Sequence, residues 1–280
     1  MQSIPFIKYH GAGNDFILID DRKGMWGDKM DEAWIAGICH RRFGIGADGL
    51  ILLQAGRDGA DFFMKYYNAD GKPSTFCCNG GRCIVSFAAQ LGIHSGTCKF
   101  LGTDGWHTGL LNAEGLVSLT MADVSEINRI DQHTYILFTG SPHYVTFVDD
   151  LKDMDIRLEG RSIRNSKRFE KEGINVNFVE IKRDVLHIRT YERGVEDETL
   201  SCGTGVTAVA VAVAVAGQVG AGVGVELNTN NGLGDFSFAI KTLGGDLNVK
   251  LKTKDGKKFS DVFLEGSATF VFTGIINPVP

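Results

Sequence analysis

Two segments place a cysteine just ahead of a glycine-containing turn and an apolar run. Cys77-Cys78-Asn79-Gly80-Gly81-Arg82-Cys83 leads into Ile84-Val85-Ser86-Phe87-Ala88-Ala89, and Cys202-Gly203-Thr204-Gly205 leads into Val206-Thr207-Ala208-Val209-Ala210-Val211. Both runs are compatible with helix, so each thiol falls at a helix N-terminus. Unpaired N–H groups and partial positive charge there favour thiolate and bind anions. One such thiol suggests a nucleophile. Two suggest a pair facing one anionic substrate from opposite sides, a thiolate removing a proton while a thiol supplies one to the other face. That chemistry inverts a stereocentre, and it needs an assisted base and anion stabilisation. His143, in Gly140-Ser141-Pro142-His143, and Glu192, in Tyr191-Glu192-Arg193-Gly194, are ionisable groups able to take a cysteine proton. The Cys78/Asn79 and Gly203/Thr204 N–H groups are placed to grip one α-carboxylate.

The elements carrying these residues read as strand-rich. Thirty-six glycines against five prolines, with short β-branched and aromatic runs between turns, predict strands near 6–10, 16–20, 50–53, 62–67, 116–121, 144–147, 175–181, 186–191, 236–240, 247–251 and 268–273. Helices are expected at 31–41, 81–91, 157–165 and 204–216. The last is apolar on every face and must be enclosed, as by a sheet wrapped around it.

The cysteine segments belong to a longer repeat. Tyr66-Tyr67-Asn68 precedes Cys77 as Thr190-Tyr191-Glu192 precedes Cys202, and Gly13-Asn14-Asp15-Phe16-Ile17 is matched by Gly140-Ser141-Pro142-His143-Tyr144-Val145. The same order at a near-constant offset points to a duplicated unit. The expected boundary lies near 122–126. It gives an N-terminal half of 1–122, to which a final strand within 267–280 returns, and a C-terminal half of 123–266. The active site is expected in the cleft between them.

Composition narrows the function. The 280 residues are 43% hydrophobic, enough for a large core, and the net charge of −5 offers no case for nucleic acid or an anionic membrane. No secretory signal is recognisable at the N-terminus, and the longest apolar run, 206–217, is too short for a span of ~30 Å. The six cysteines are irregularly spaced, which favours a reducing cytoplasm. With no Cys-x-x-Cys pair, no metal site is expected. Cys39, Cys83 and Cys98 read as packing residues, and Cys78 as a structural or backbone contributor.

Taken together, Gly11-Ala12-Gly13-Asn14-Asp15-Phe16, Gly44-Ile45-Gly46-Ala47-Asp48-Gly49, Asn68-Ala69-Asp70-Gly71, the Cys77–Cys83 segment, Glu192-Arg193-Gly194-Val195 and Cys202-Gly203-Thr204-Gly205 resemble the diaminopimelate epimerase family. The resemblance implies a cofactor-independent isomerase interconverting LL- and meso-diaminopimelate, on the route to lysine and peptidoglycan, and a homodimer. It also implies an α+β fold of two pseudo-symmetric domains, each a barrel-like sheet around a central helix. By position, Cys77 and Cys202 match the catalytic cysteines, and His143 and Glu192 the groups assisting them. Asn14, Asn68, Asn175 and Arg193 match substrate-holding residues, with Arg193 suited to a distal carboxylate. Cys78-Asn79 and Gly203-Thr204 match the backbone donors. Three departures stand out. Cys78 replaces a usual glycine, Ser141 a usual asparagine, and the stretch before Cys202 is one residue longer than in many relatives. A proline racemase-like isomerase and, more remotely, a thiol–disulfide redox protein are the competing readings.

Overall fold

In the computed structural model, residues 3–27, 29–217, 228–230 and 233–277 are described. The chain forms two compact units, residues 1–119 with 266–280, and residues 120–265. The first unit begins with β1 (Ile4–Gly11) and β2 (Asn14–Asp21), then α1 (Glu32–Cys39), β3 (Gly49–Ala55) and β4 (Phe62–Asn68). It continues through α2 (Cys78–Gln90), β5 (Thr97–Gly102), β6 (Gly105–Leu111) and β7 (Leu116–Thr120). From β1 to β6 the successive pairings are antiparallel, parallel, antiparallel, parallel, antiparallel.

The second unit has β8 (Ile127–Arg129), β9 (Thr134–Phe138), β10 (Pro142–Phe147), α3 (Ile156–Arg164), β11 (Asn175–Lys182), β12 (Val185–Glu192), β13 (Asp197–Thr199) and α4 (Gly203–Ala216). Strands β14 (Asn228–Asn230), β15 (Leu233–Thr242), β16 (Gly245–Thr253) and β17 (Phe259–Ser267) follow. Along β9-β10-β11-β12-β15-β16 the pairings again run antiparallel, parallel, antiparallel, parallel, antiparallel. Helices α2 and α4 each follow the fourth strand of the series, so the repeat read from motifs is a repeat of topology. Finally β18 (Thr269–Ile276) pairs antiparallel with β1. Residues 278–280 of the expected final segment lie outside the described residues.

Helix α2 packs on β1, β2, β3 and β6, and α4 on β9, β10, β11, β15 and β16. Each central helix therefore touches strands from across its own sheet. Residues 205–213 of α4 are all buried; its valines carry reduced helix propensity through restricted χ1, which the alternating alanines offset. At 14 residues the helix is marginal by itself, and enclosure adds the rest of its stability. Gly217 ends it in the left-handed conformation at φ 66°.

Helix α2 starts three residues earlier than the sequence pattern suggested, so Cys78, Asn79 and Gly80 form its first turn. The glycine pair serves packing rather than a turn. A Cβ on Gly80 would sit 2.9 Å from Ile51 Cδ1, and one on Gly81 2.4 Å from the Phe76 ring. The sequence pattern also missed β5, β6, β8, β9, β13, β14 and β17. In the β5–β6 hairpin, Trp106 and Leu110 point outward beside Lys99 and Thr108 while Gly109 points inward, so the sequence lacks a clean apolar alternation.

Candidate active site

Among the described residues the four helices start in two ways. Asp31 caps α1 by accepting from the Trp34 N–H, and Asp155 caps α3 by accepting from the Leu158 N–H. The central helices instead have cysteines at the N-cap, Cys77 at φ −116°, ψ 119° and Cys202 at φ −116°, ψ 108°, neither making a side-chain cap bond. Each first turn thus begins beside a thiol held in nearly the same backbone geometry in both units, where helix N–H groups favour anions.

In the first unit, the tight Ala12-Gly13 turn, with both residues at positive φ, brings Asn14 to the head of β2. Cys77 Sγ donates to Asn14 Oδ1 at 3.5 Å, and Asn79 Nδ2 reaches the same oxygen at 3.5 Å. Asn14 Nδ2 in turn donates to Asp48 Oδ2 at 2.6 Å, and Arg41 bridges Asp48 and Asp15 at 2.7 Å each. On the other side, the fully buried Arg82 donates to Asn79 Oδ1 at 2.8 Å and to the Ser267 carbonyl at 3.2 Å. Burial lowers the Arg82 pKa from its ordinary value. Burial opposes ionisation of Asp15, yet hydrogen bonds from Arg41 and Lys8 outweigh it and hold its pKa down at about 2. The amides of Asn79 and Asn14 are therefore strung head to tail between a buried cation and a carboxylate pair.

In the second unit, Cys202 Sγ lies 3.5 Å from Thr204 Oγ1, which lies 2.9 Å from His143 Nε2. The imidazole is completely buried, and His143 Nδ1 is 3.1 Å from Asn177 Nδ2. Burial, reinforced by the Arg193 charge, pushes the His143 pKa down to about 3. The link from imidazole to sulfur runs through the Thr204 hydroxyl, where the sequence pattern had suggested a base beside the cysteine.

A second cluster adjoins it. Asn175 Nδ2 donates to Ser141 Oγ at 2.9 Å, Asn175 Oδ1 accepts from the Arg193 N–H at 2.9 Å, and Arg193 Nη2 donates to Ser141 Oγ at 3.4 Å. Ser141, Asn175 and Arg193 thus form one polar corner with an exposed guanidinium. Glu192, at the end of β12, has its pKa raised by burial, with the Thr199 hydroxyl pulling it back down. Asn68 ends β4 with its side chain exposed. Gly203 and Thr204 begin α4 as Cys78 and Asn79 begin α2.

Sequence reasoning did not single out Asp48, Arg82 or Asn177. Asp48 sat inside a quoted motif without a role. Asn177 follows Asn175 by two residues on a strand buried throughout its centre, so a polar residue at the same-face spacing was the available signal.

The remaining thiols differ. Desolvation pushes Cys39 up to about 11 and Cys98 up to about 12, and raises the fully buried Cys83 further still. They pack in the core, as does Cys78 at the start of α2.

A sequence model of the diaminopimelate epimerase family matches residues 6–106 and 135–271. The diaminopimelate epimerase of Flavobacterium psychrophilum is 46% identical over 266 residues, covering 95% of this chain and 97% of its own. That of Chlorobaculum tepidum is 39% identical, covering 95% and 99%. Among solved structures, a phenazine biosynthesis protein of the PhzF family from Bacillus anthracis superposes with a TM-score of 0.74 at 12% identity, covering 99% of this chain and 100% of its own. A probable proline racemase from Agrobacterium radiobacter gives 0.62 at 15% identity, covering 99% and 94%. These two share the fold.

Proposed function

Because the chain belongs to the diaminopimelate epimerase family, we propose that it interconverts LL- and meso-diaminopimelate by a two-thiol mechanism that needs no cofactor. The observation carrying this reading is the matched pair of N-cap cysteines, Cys77 and Cys202, held in nearly the same backbone conformation at the starts of α2 and α4. The substrate α-carboxylate accepts from the Cys78/Asn79 and Gly203/Thr204 N–H groups, which also stabilise the negative charge that develops as the α-proton leaves. Cys202 as thiolate takes that proton and becomes a thiol, while the Cys77 thiol delivers its own proton to the opposite face and becomes a thiolate. The reverse reaction uses the sulfurs in swapped roles. This requires both thiols to reach one carbon.

Arg193, Asn175, Ser141, Asn14 and Asn68 hold the distal carboxylate and amine, with the planar Arg193 guanidinium suited to both carboxylate oxygens. His143 and Glu192 tune the cysteines. The product serves lysine and peptidoglycan synthesis, a role that supports a cytoplasmic location. Among the described residues no helix is long and apolar enough to cross a membrane. A homodimer is supported by exposed Phe270, Val271, Phe272 and Ile275 on β18.

Incubation with LL-diaminopimelate in deuterated water tests the reaction. Deuterium should enter at Cα and the meso isomer should accumulate without pyridoxal phosphate, with Cys77→Ser and Cys202→Ser each losing epimerisation. Exchange on proline instead of diaminopimelate would select the racemase reading, and full activity in either serine variant would remove the two-thiol mechanism.

A further inference from the structure

Beneath the first turn of α4, the second unit carries a buried polar pair where the first unit carries an apolar one. In the ladders, His143 pairs with Asn175 and Phe16 with Gly49. Asn177 pairs with Thr190 and Ile51 with Tyr66. The helix glycines agree with that register. A Cβ on Gly205 would lie 2.4 Å from Asn177 Oδ1, and one on Gly80 would lie 2.9 Å from Ile51 Cδ1 and 3.5 Å from the Phe16 ring. His143 and Asn177 therefore occupy the places of Phe16 and Ile51. The fold accepts two hydrocarbons there, and a buried polar pair carries a desolvation cost that hydrocarbons avoid. The fold alone does not call for the pair.

The wiring of Asn177 fixes its amide. Its Oδ1 accepts from the Thr190 hydroxyl at 3.0 Å, and its Nδ2 donates to the Tyr144 carbonyl at 3.1 Å. With that orientation, Nδ2 presents a donor to His143 Nδ1, so Nδ1 must be the lone-pair nitrogen and Nε2 must carry the proton. Nε2–H then donates to Thr204 Oγ1, and the Thr204 hydroxyl, with that lone pair taken, has its own proton to give to Cys202 Sγ. A hydroxyl donating to sulfur favours thiolate over thiol.

We infer that Asn177 is a positioning residue that holds His143 in the Nε2–H form and thereby turns the Thr204 hydroxyl proton onto Cys202. The imidazole takes no proton from the cysteine; it sets the polarity of the hydroxyl between them. This deepens the proposed function and rests on Cys202 being an acting sulfur, but its readouts do not depend on turnover.

Histidine-selective 15N labelling reports the ring form directly, the His143 signals being assigned by their loss in a His143→Phe/Asn177→Ile double variant. That variant copies the Phe16/Ile51 pair of the first unit and is expected to fold. Wild-type protein should show Nε2–H alone between pH 6 and 8, and Asn177→Leu should show a mixture of the two ring forms. Iodoacetamide labelling of the Cys202 peptide at pH 7, read by mass spectrometry, should slow about tenfold in Asn177→Leu and in Thr204→Val, and at least as much in the double variant. An Nδ1–H ring at His143 in the wild type overturns the inference, with His143→Gln supplying the assignment should the double variant not fold. So does unchanged Cys202 labelling in folded Asn177→Leu or in the folded double variant. The expected ring form and labelling without epimerisation of diaminopimelate would sustain the inference and remove the reaction.

Discussion

Asn14 Nδ2 donates to Asp48 Oδ2 at 2.6 Å, and that bond decides which end of the amide Cys77 meets. With nitrogen committed to the carboxylate, oxygen faces the sulfur and accepts from it at 3.5 Å. Thr204 offers a hydroxyl to Cys202 in the other unit, so the two cysteines sit in surroundings of different hydrogen-bonding character.

Asp48→Leu should release the Asn14 amide and cost about tenfold in kcat/KM, about 1.4 kcal/mol, the scale of one hydrogen bond to a charged group. Asp48→Asn keeps an acceptor and should lose less than threefold. Equal kinetics for wild type and Asp48→Leu, with folding checked by circular dichroism, would remove Asp48 from the positioning of Asn14.

The buried imidazole of His143 gives stability a pH dependence of known sign. The folded chain keeps it neutral down to about pH 3, whereas an unfolded chain protonates it near 6.5. Below 6.5 the unfolded state binds the extra proton, so stability falls as pH falls. Between pH 7 and 5 this amounts to about 2 kcal/mol. Urea unfolding at both pH values should show that loss in the wild type and a smaller one in His143→Gln.

Two glycine substitutions should behave oppositely. Gly205→Ala drives a methyl to 2.4 Å from Asn177 Oδ1 and should destabilise by about 1–3 kcal/mol while lowering activity. Gly37→Ala, in α1 with nothing within 4 Å of the added carbon, should stabilise by about 0.5–1 kcal/mol. Thermal melts of both variants check the contrast, which fails if the two shift alike.

Thiol labelling should divide the six cysteines. Burial raises Cys39, Cys83 and Cys98 far above neutrality, so native protein at pH 8 should label at Cys77 and Cys202 first and leave these three until denaturant is added. Peptide mass mapping reads the order. Early labelling of Cys98 would contradict its burial.

The repeat was legible because cysteine–glycine starts and their upstream partners keep one order in both halves, and order survives substitution. The four helices were legible from apolar runs, but the start of α2 was misplaced because Gly80-Gly81 looks like a turn when its packing against Ile51 and Phe76 is out of sight. The β5–β6 hairpin was missed because Trp106 and Leu110 lie on its exposed face and Gly109 on its buried one, which breaks the apolar alternation of a half-buried strand. The candidate residues with their own chemistry, Cys77, Cys202, His143 and Glu192, stood out by type. Asp48 and Asn177 act only through a neighbour, and a sequence does not show which neighbour a side chain meets. The Phe16/Ile51 and His143/Asn177 exchange became visible only once strand register aligned the halves.

The all-apolar α4 has a consequence for the order in which this protein is made. A helix of 14 residues is marginal alone, so that segment coils firmly only once β9, β10, β11, β15 and β16 surround it. The converging N–H groups beside Cys202 arise with the coil, so the anion-binding first turn is absent until the enclosing strands are in place.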